Sequence, residues 1–308
     1  MMELEKHSGR HAYLIMAYNN WRQLRMLVEL LDDGRNDIFI HVDKRAGEFP
    51  REEIASAARF SGLTFIPRKN VYWADYSQTD VELDLLEAAS RKEAYHYYHL
   101  LSGMCLPLKN QDELHRFFDG QDKEFISMVR DGGAYTHEHA GYYHLLLHNP
   151  VFRSCKALKA VNMALVYGQK LIGVDRLRKN NMIMSTGWTW FSITHRFCRH
   201  MVEHRELIEK TFRHTQASDE MVMGTMVVNF GLEDSVYDIN NGEKNDYVPG
   251  GKRLIDWNRG KPYTWGASTP EEDFRTLMDS DCLFARKFDE RVNFELIQRI
   301  YDALKRKE

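Results

Sequence analysis

The chain is predicted to be an α/β protein whose mostly parallel sheet is flanked by helices. Through its first half, short apolar runs alternate with segments whose apolar residues recur at helical spacing. Turn-forming residues such as glycine, proline and aspartate follow several of these segments. This alternation is typical of βαβ units, in which each helix returns the chain to the start of a parallel strand. Strand-like segments become sparse in the second half, which predicts a helix-rich part built onto the first.

In the first half, the predicted strands are short and mainly apolar: Ala12–Ala17, Asp37–Val42, Thr64–Ile66, Tyr97–Leu101 and Glu124–Val129. The helices predicted between them are Trp21–Leu31, Arg51–Phe60, Ser77–Ser90 and Gln111–Phe118. Of these, Ser77–Ser90 shows the clearest pattern, because Val81, Leu85 and Ala88 fall on one helical face.

In the second half, apolar residues at helical spacing predict five helices: Cys155–Leu171, Phe197–Lys210, Asp219–Val228, Pro270–Met278 and Val292–Lys305. Thr189–Thr194 alternates polar and apolar residues like a strand. The glycine- and asparagine-rich stretch Asn240–Gly251 is predicted to be a loop.

Composition excludes several classes of protein. The chain has 308 residues, of which 43% are hydrophobic and 28% charged, as in ordinary globular domains and unlike disordered chains. Its net charge of −3 argues against a dedicated nucleic-acid-binding protein. The charged segment Met1–Arg10 contains no apolar core, so we expect no signal peptide. Four cysteines lie far apart, which fits reduced thiols and a cytoplasmic location.

Three strand-end segments are candidate ligand-binding loops, because open parallel sheets bind ligands at the carboxyl ends of their strands. They are Tyr18–Asn20, Asp43–Arg45 and Ser102–Cys105. The carboxylate of Asp43 could accept hydrogen bonds from a ribose or a base, although an aspartate at this place also commonly caps a turn. Ser102 and Gly103 would allow close approach of a ligand, or simply form a tight turn.

Aromatic residues and carboxylates give two further candidates. Trp73 precedes a predicted helix and could stack on a flat base, the alternative being a helix-start staple with Asp75 or Ser77 as the cap. In Ser218-Asp219-Glu220, Glu220 could act as a general base. The alternative is an N-cap serine followed by acids that complement the helix dipole.

A cation pair and two metal-like patterns complete the list. Arg253 and Lys287 could neutralise a departing diphosphate, although single surface cations are usually only solvated. His144 and His148 are four residues apart, but no glutamate or cysteine joins them in a zinc motif. The D-x-D sequence Asp279–Asp281 follows a predicted helix far from any strand end, so we interpret it as a turn. No metal site is expected.

In order along the chain, these segments resemble the core-2/I-branching enzyme family, the family 14 glycosyltransferases. The matching pieces are AYLIMAYNN, FIHVDK, YWADYSQTDVELDLLEA, YYHLLSGMCLPLKNQDELHRFF, STGWTWFSITHRF, SDEMVMGTMVVN, RLIDWNRGKPYTW and SDCLFARKFD. They extend from about Ala12 to about Phe294. The family includes β-1,6-N-acetylglucosaminyltransferases and protein xylosyltransferases, and the resemblance implies a GT-A fold with a Rossmann-like sheet.

The resemblance implies inverting, metal-independent transfer of a sugar from a UDP-sugar to a hydroxyl. Glu220 would be the general base, Lys287 would hold the diphosphate and Arg253 would be its partner. Nucleotide contacts are implied for Ala17, Asp43, Trp73, Ser102 and Gly103. Contacts near the acceptor are implied for Trp188 and Trp190. No cofactor is expected, since the UDP-sugar is a substrate.

The chain departs from the family pattern at two positions. Cys105 stands where many relatives have an aspartate, which removes a carboxylate from the region of a GT-A metal ligand. Ser218 replaces the usual proline. The anchor and paired cysteines of the Golgi members are not found, which suggests a bacterial-type cytoplasmic enzyme. We expect one GT-A domain over residues 1–308, with residues 11–130 binding the nucleotide-sugar and residues 131–308 supplying acceptor and catalytic groups.

The leading hypothesis is therefore transfer of N-acetylglucosamine to a glycan or glycolipid. The alternatives are a UDP-xylose-dependent or metal-assisted transferase of the same fold, or a non-catalytic carbohydrate- or nucleotide-sugar-binding protein. Arg153–Lys179 is rich in basic residues, with Asp175 its one acid. It could contact an anionic membrane surface or be a solvated helix face, and both interpretations stay open. Oligomeric state and linkage are not evident from the sequence.

Overall fold

The computed structural model describes residues 7–180, 182–239, 247–248 and 250–306. Its strands are β1 (His11–Ala17), β2 (Asn36–Val42), β3 (Gly62–Phe65), β4 (Tyr97–Ser102), β5 (Leu106–Pro107), β6 (Met128–Val129), β7 (Thr186–Gly187), β8 (Ser192–Thr194), β9 (Tyr247–Val248), β10 (Arg253–Ile255) and β11 (Phe284–Arg286). Its helices are α1 (Trp21–Leu31), α2 (Arg51–Ala55), α3 (Ser77–Lys92), α4 (Gln111–Phe118), α5 (Gly133–Ala140), α6 (Lys156–Leu171), α7 (Leu177–Asn180), α8 (His195–Glu203), α9 (Arg205–Phe212), α10 (Val222–Asn229), α11 (Pro270–Asp279) and α12 (Glu290–Lys305).

A central sheet has the strand order β3-β2-β1-β4-β8. Its first four strands run parallel, and β8 joins β4 in the antiparallel sense. In the middle of the sheet, Ile15 of β1 pairs with Ile40 of β2 and Leu101 of β4. All three side chains are buried, as expected for strands covered on both faces. The predicted α/β architecture with a mostly parallel sheet is confirmed.

Helices cover both faces of this sheet. On one face, α1 packs Leu24, Leu27 and Val28 against the strands, at the spacing of one helical stripe. On the other face, α3 packs with α8 and α10 around a second apolar cluster that includes Val81 and Phe197. The sheet is therefore the middle layer of three, with β3 as its more exposed edge strand.

A smaller sheet, in the order β5-β11-β10-β9, lies beside the end of β4. Strands β10 and β11 are parallel, and α12 covers them with a third apolar cluster that includes Leu296 and Ile300. The chain enters this sheet directly from β4, since the Leu108 N–H donates to the Leu283 carbonyl at 2.8 Å. The second half thus adds β8 to the central sheet and most of the small sheet beside it.

Several predicted boundaries were wrong for identifiable reasons. The helix predicted over Arg51–Phe60 ends at Ala55 in the structure. The carboxylate of Asp32 accepts hydrogen bonds from the backbone N–H groups at positions 59 to 61, so these groups are not available to continue the helix. Helix Phe197–Lys210 is interrupted at His204, which lets Arg205 form ion pairs with α3.

Two further expectations differ from the structure. The predicted strand Glu124–Val129 shrinks to β6 plus isolated bridges at Glu124 and Phe125. His144 and His148, whose spacing of four residues would put them on one face of a helix, are not helical: His144 lies in an irregular segment and His148 in a turn. Most of the predicted loop Asn240–Gly251 lies outside the described residues. Among the helices that the structure describes, none is long and apolar enough to span a bilayer.

Candidate functional site

The candidate site begins at the carboxyl edge of the central sheet, where β1, β2 and β4 end side by side. The Asp43 N–H donates to the Ala17 carbonyl at 2.9 Å, and the Gly103 N–H donates to the Met16 carbonyl at 2.9 Å. A Cβ atom at Gly103 would lie 3.4 Å from the Cβ of Ala17, so the two loops are in close contact. Asp43 and Gly103, predicted from strand-end position, therefore lie together with Ala17, which the family resemblance implied.

Asp43 joins the end of β2 to the aromatic loop that contains Trp73. Its Oδ1 accepts hydrogen bonds from the N–H of Arg45 at 2.9 Å and from the N–H of Val71 at 3.3 Å. The Arg45 guanidinium donates to the Val71 carbonyl at 2.8 Å. Asp43 is thus the turn cap that the sequence offered as the alternative, and this bonding also positions its half-buried carboxylate at the sheet edge.

Trp73 projects from this loop, with 52% of its surface exposed. The following residue, Ala74, has a left-handed backbone with φ of 61°, and the guanidinium of Arg153 lies 5.4 Å from the Trp73 ring. Asp75 rather than Ser77 bonds the start of α3, because its Oδ2 accepts the Ser77 N–H at 2.9 Å. The indole is therefore presented outward beside a cation.

Ser102 stabilises the turn after β4. Its hydroxyl accepts the N–H of Met104 at 3.2 Å and lies 3.4 Å from the Sγ of Cys105. This turn touches the far end of the chain, since the Phe288 N–H donates to the Met104 carbonyl at 2.9 Å. Lys287 is thereby placed next to the strand-end loops of the first half.

Glu220 ends a short 3₁₀ turn, Ser218–Glu220, that precedes α10. The residue before the turn, Ala217, is left-handed with φ of 52° and donates its N–H to the Ala74 carbonyl at 2.8 Å. Ser218 does not cap the helix, because its hydroxyl bonds to that of Thr79 at 2.7 Å. The N-cap interpretation of Ser218 was therefore wrong, and the turn is instead bonded to α3 and the Trp73 loop.

The two carboxylates of this turn have separate partners. The hydroxyl of Tyr135 donates to Oε2 of Glu220 at 2.6 Å. Oδ2 of Asp219 accepts from Thr189 at 2.9 Å and from Gln78 at 3.1 Å. Gln78 also accepts the Ala74 N–H at 2.7 Å, so one side chain joins the Trp73 loop to Asp219.

Burial controls the protonation of these acids. Burial and the adjacent Glu220 raise the pKa of Asp219 to about 7, against the hydrogen bond from Thr189 and the positive charge of Arg286. Burial also raises the pKa of Glu220, although the Tyr135 hydrogen bond opposes this. Behind them, burial and Asp219 hold the pKa of Glu82 well above its usual range. A carboxylate with a raised pKa is suited to proton transfer near neutrality.

Cations face these acids from the small sheet. The guanidinium of Arg286 lies 4.2 Å from the ring of Trp190, and its positive charge acts on Asp219. Lys287 is half-buried, and burial together with the positive Arg286 lowers its pKa. Arg153 and Arg291 lower it further. Because these cations repel one another, their surroundings favour an anion.

Arg253 is not part of this group. Only 3% of its surface is exposed, and its guanidinium donates to the Phe191 carbonyl at 2.7 Å, to the Ser192 hydroxyl at 2.9 Å and to the Gly251 carbonyl at 3.1 Å. Burial lowers its pKa to about 10. Because its side chain is enclosed in this way, Arg253 presents no surface to a diphosphate. The prediction that Arg253 is the partner of Lys287 in holding the diphosphate is therefore corrected.

The segment containing Trp188 and Trp190 lies between the acids and the cations. Trp188 stacks on Trp257 with ring centroids 4.7 Å apart, and Trp190 lies under Arg286. Thr189 between them bonds to Asp219 at 2.9 Å. One short segment therefore contacts both charged parts of the site.

Sequence reasoning missed four residues that the structure brings to the site: Tyr135, Gln78, Thr189 and Arg286. Arg286 could have been found, because it directly precedes Lys287. Tyr135 is 85 residues from Glu220 and carries no local signal. Across the described residues, no group of three or more His, Cys, Asp or Glu side chains is arranged to hold a metal ion. Asp281 instead pairs with Lys252 at 2.9 Å.

Comparison with known proteins gives one strong match. The model of the family described as Branch, Core-2/I-Branching enzyme, matches residues 11–277. Among curated proteins, xylosyltransferase 2 of Homo sapiens is 24% identical over 313 residues, covering 94% of this chain and 33% of the relative. A xylosyltransferase of Ciona intestinalis is 21% identical over 309 residues, covering 94% and 34%. The chain thus spans about a third of the length of these relatives.

Solved structures show weaker likeness. Apo mouse xyloside xylosyltransferase 1 has a TM-score of 0.35 and 9% identity, covering 89% of this chain and 96% of that one. The apo glycosyltransferase GlyE of Streptococcus pneumoniae TIGR4 has a TM-score of 0.35 and 12% identity, covering 97% and 63%.

Proposed function

The chain belongs to the core-2/I-branching enzyme family, and from this membership and the geometry of the site we propose that it is an inverting glycosyltransferase that uses a UDP-sugar. One observation carries the proposal: a carboxylate and a cation pair lie close to each other. The partly shielded carboxylate of Glu220 is next to Asp219, and the cations Arg286 and Lys287 lie beside Asp219 and Trp190. Direct displacement needs a base on one side of the anomeric carbon and a stabiliser of the leaving group on the other.

In the proposed reaction, Glu220 takes the proton of an acceptor hydroxyl as its oxygen attacks the anomeric carbon. The bond from that carbon to the diphosphate breaks, and UDP leaves with the bonding electron pair. Arg286 and Lys287 neutralise the charge that develops on the leaving group. Tyr135 holds the Glu220 carboxylate in one orientation through the 2.6 Å hydrogen bond. Attack from the side opposite the diphosphate inverts the anomeric centre, and the product is a β-linkage.

The nucleotide would lie along the carboxyl edge of the central sheet. Asp43 would accept from the base or ribose, and Trp73 would pack near the uracil ring. Ala17, Ser102 and Gly103 would line the same pocket, where small side chains permit close approach. Trp188 and Trp190 would contact the acceptor or the transferred sugar. Open parallel sheets bind ligands at the carboxyl ends of their strands, which supports the proposed nucleotide contacts.

Two donors are candidates. UDP-N-acetylglucosamine is the donor that we expected from the sequence, and UDP-xylose is favoured by the names of the curated relatives. We further propose that transfer needs no metal, because Cys105 replaces a carboxylate and two cations already face the leaving group. Turnover with both donors, with and without EDTA, tests these points. Loss of activity in EDTA would contradict metal independence, and binding of UDP without turnover on any acceptor would favour a binding protein.

A further inference from the structure

Helix α6 has its apolar side turned away from the protein. In the ordinary helix α1, Leu24, Leu27 and Val28 are buried against the sheet. In α6, the buried residues are Asn162 and Val166. By contrast, Met163 is 71% exposed, Leu171 70% and, just after the helix, Ile172 79%. An amphipathic helix with its apolar side outward exposes surface that is favourable to bury elsewhere.

The exposed side chains form one surface. At 100° per residue, Ala160, Ala164, Tyr167 and Leu171 point in nearly the same direction, opposite to the buried Asn162. We call the following exposed residues the α6 surface: Ala157, Ala160, Val161, Met163, Ala164, Tyr167, Leu171 and Ile172. Solvated helices normally carry charged groups at such positions. The α6 surface therefore requires an explanation other than solvation.

Charges beside the α6 surface are almost all positive. Between Glu138 and Asp175 the chain contains no aspartate or glutamate. Lys156, Lys159 and Lys170 recur along one edge of the helix, and Lys170 is bonded to Glu138 at 2.6 Å. Lysine stems can lie along an apolar surface while their ammonium groups reach outward. An apolar stripe edged by lysines is complementary to a surface with an apolar interior and anionic groups outside.

We propose that the α6 surface docks on an anionic lipid bilayer, with its apolar side chains in the headgroup region and Lys156 and Lys159 on lipid phosphates. A second copy of the chain fits less well. Whichever way the two helices run, a second α6 surface carries no aspartate or glutamate to pair with the lysine edge. An anionic bilayer supplies the opposite charge along the whole edge and accepts the apolar side chains together.

The α6 surface leads directly to the candidate site. Arg153, just before α6, lies 5.4 Å from the exposed ring of Trp73 and lowers the pKa of Lys287. His148, in the turns that lead to α6, lies 3.2 Å from Asp75 in the same loop. A bilayer at α6 would therefore lie beside the mouth of the site. Resting on the proposed function, this position indicates that the acceptor hydroxyl belongs to a lipid-linked glycan at the bilayer surface.

Vesicle co-sedimentation of the full chain tests the docking. We expect at least tenfold more binding to phosphatidylcholine vesicles containing phosphatidylglycerol than to phosphatidylcholine alone, and loss of most of this binding in 0.5 M salt. The double variant M163E/L171E should reduce binding at least tenfold. The matched control is F60E, because Phe60 is also strongly exposed, at 74%, but lies outside α6. K156E/K159E, which leaves the apolar residues intact, should also weaken binding.

The outcomes separate the alternatives. Absence of binding to anionic vesicles at low salt overturns the proposal, as does equal loss in M163E/L171E and F60E. A concentration-dependent dimer that forms without lipid and is dispersed by M163E/L171E overturns it in favour of a second copy. Because the assay requires no turnover, E220Q should bind vesicles like the unmodified chain even if the proposed function fails. Selective loss in the two α6 variants supports the proposal.

Discussion

The N–H of Ala217 donates to the carbonyl of Ala74 at 2.8 Å, and both alanines have left-handed backbones. Ala74 follows the exposed Trp73, and Ala217 precedes the turn that carries Glu220. This bond therefore joins the loop proposed to pack on the base to the turn proposed to supply the general base. Left-handed alanine costs about 1 kcal/mol relative to glycine, so surrounding contacts must hold both residues in place.

Substitution of Ala217 tests this constraint. A217G should leave thermal stability unchanged or raise it slightly, because glycine adopts a positive φ without steric cost. A217V should lower the free energy of unfolding by about 1–3 kcal/mol, because a β-branched residue resists that conformation. Chemical denaturation of both variants provides the measurement. Equal stability of the two variants would show that Ala217 does not constrain the turn.

Glu220 is expected to be essential for turnover but not for folding or donor binding. E220Q keeps the shape of the side chain and can still accept the Tyr135 hydroxyl, yet cannot take a proton. We expect kcat to fall by about 10²–10⁴-fold, with unchanged melting temperature and UDP affinity. Steady-state kinetics and calorimetry with UDP would check this. E206Q, a change in the first turn of α9, is a control, and near-normal turnover of E220Q would remove Glu220 from the mechanism.

Tyr135 should set the pH at which Glu220 becomes active. Its hydrogen bond favours the ionised carboxylate and opposes the effect of burial, so Y135F should raise the pKa of Glu220 further. Because the base must be ionised, the acidic limb of the kcat profile should shift to higher pH. Activity at high pH should recover toward that of the unmodified chain. Y167F, at an exposed tyrosine of α6, should not move the profile, and a shift to lower pH in Y135F would contradict the assignment.

Removal of Arg286 and removal of Arg253 should have opposite effects on UDP binding and stability. R286A removes a cation beside Lys287 and should weaken UDP binding by about tenfold or more, with little change in stability. R253A leaves the Phe191 carbonyl and Ser192 hydroxyl without their buried donor, and should cost about 2–4 kcal/mol of stability. Thermal melts with and without UDP distinguish the two effects. A stable R253A protein with selectively weakened UDP binding would reverse our correction.

His41 should make the fold sensitive to acid. Its Nε2 accepts the Lys69 N–H at 2.9 Å, and burial lowers its pKa to about 4. In the unfolded chain the pKa of His41 is near its ordinary value of about 6.5. The unfolded chain therefore binds a proton at this residue at a higher pH than the folded protein does. Stability should be fully present above about pH 6.5 and decrease toward pH 4, by about 3 kcal/mol from this residue. Urea unfolding at several pH values should show a smaller decrease in H41Q, whose amide oxygen can still accept the bond.

Local pattern predicted the sheet and the edge at which its strand ends meet better than it predicted the contacts of the charged groups. Asp43 and Gly103 were identifiable because strand ends follow from apolar runs, and parallel strands bring those ends together, whereas Ala17 came from the family resemblance. Arg253 was misassigned because nothing in KRLIDW distinguishes an arginine inside the core from one that faces a ligand. Tyr135 and Gln78 were missed because their partners are 85 and 141 residues away, a relation that only tertiary packing creates.

Arg253 also bears on how accurately the site is assembled. Its backbone belongs to β10, next to the strand that carries Arg286, while its guanidinium holds Phe191 and Ser192, next to Trp190. Arg253 thus fixes the small sheet to strand β8 of the central sheet through a buried side chain. Since small misplacements of reacting groups slow chemistry greatly, we expect the rate of the proposed reaction to depend on this buried contact between the two sheets, which lies outside the proposed site.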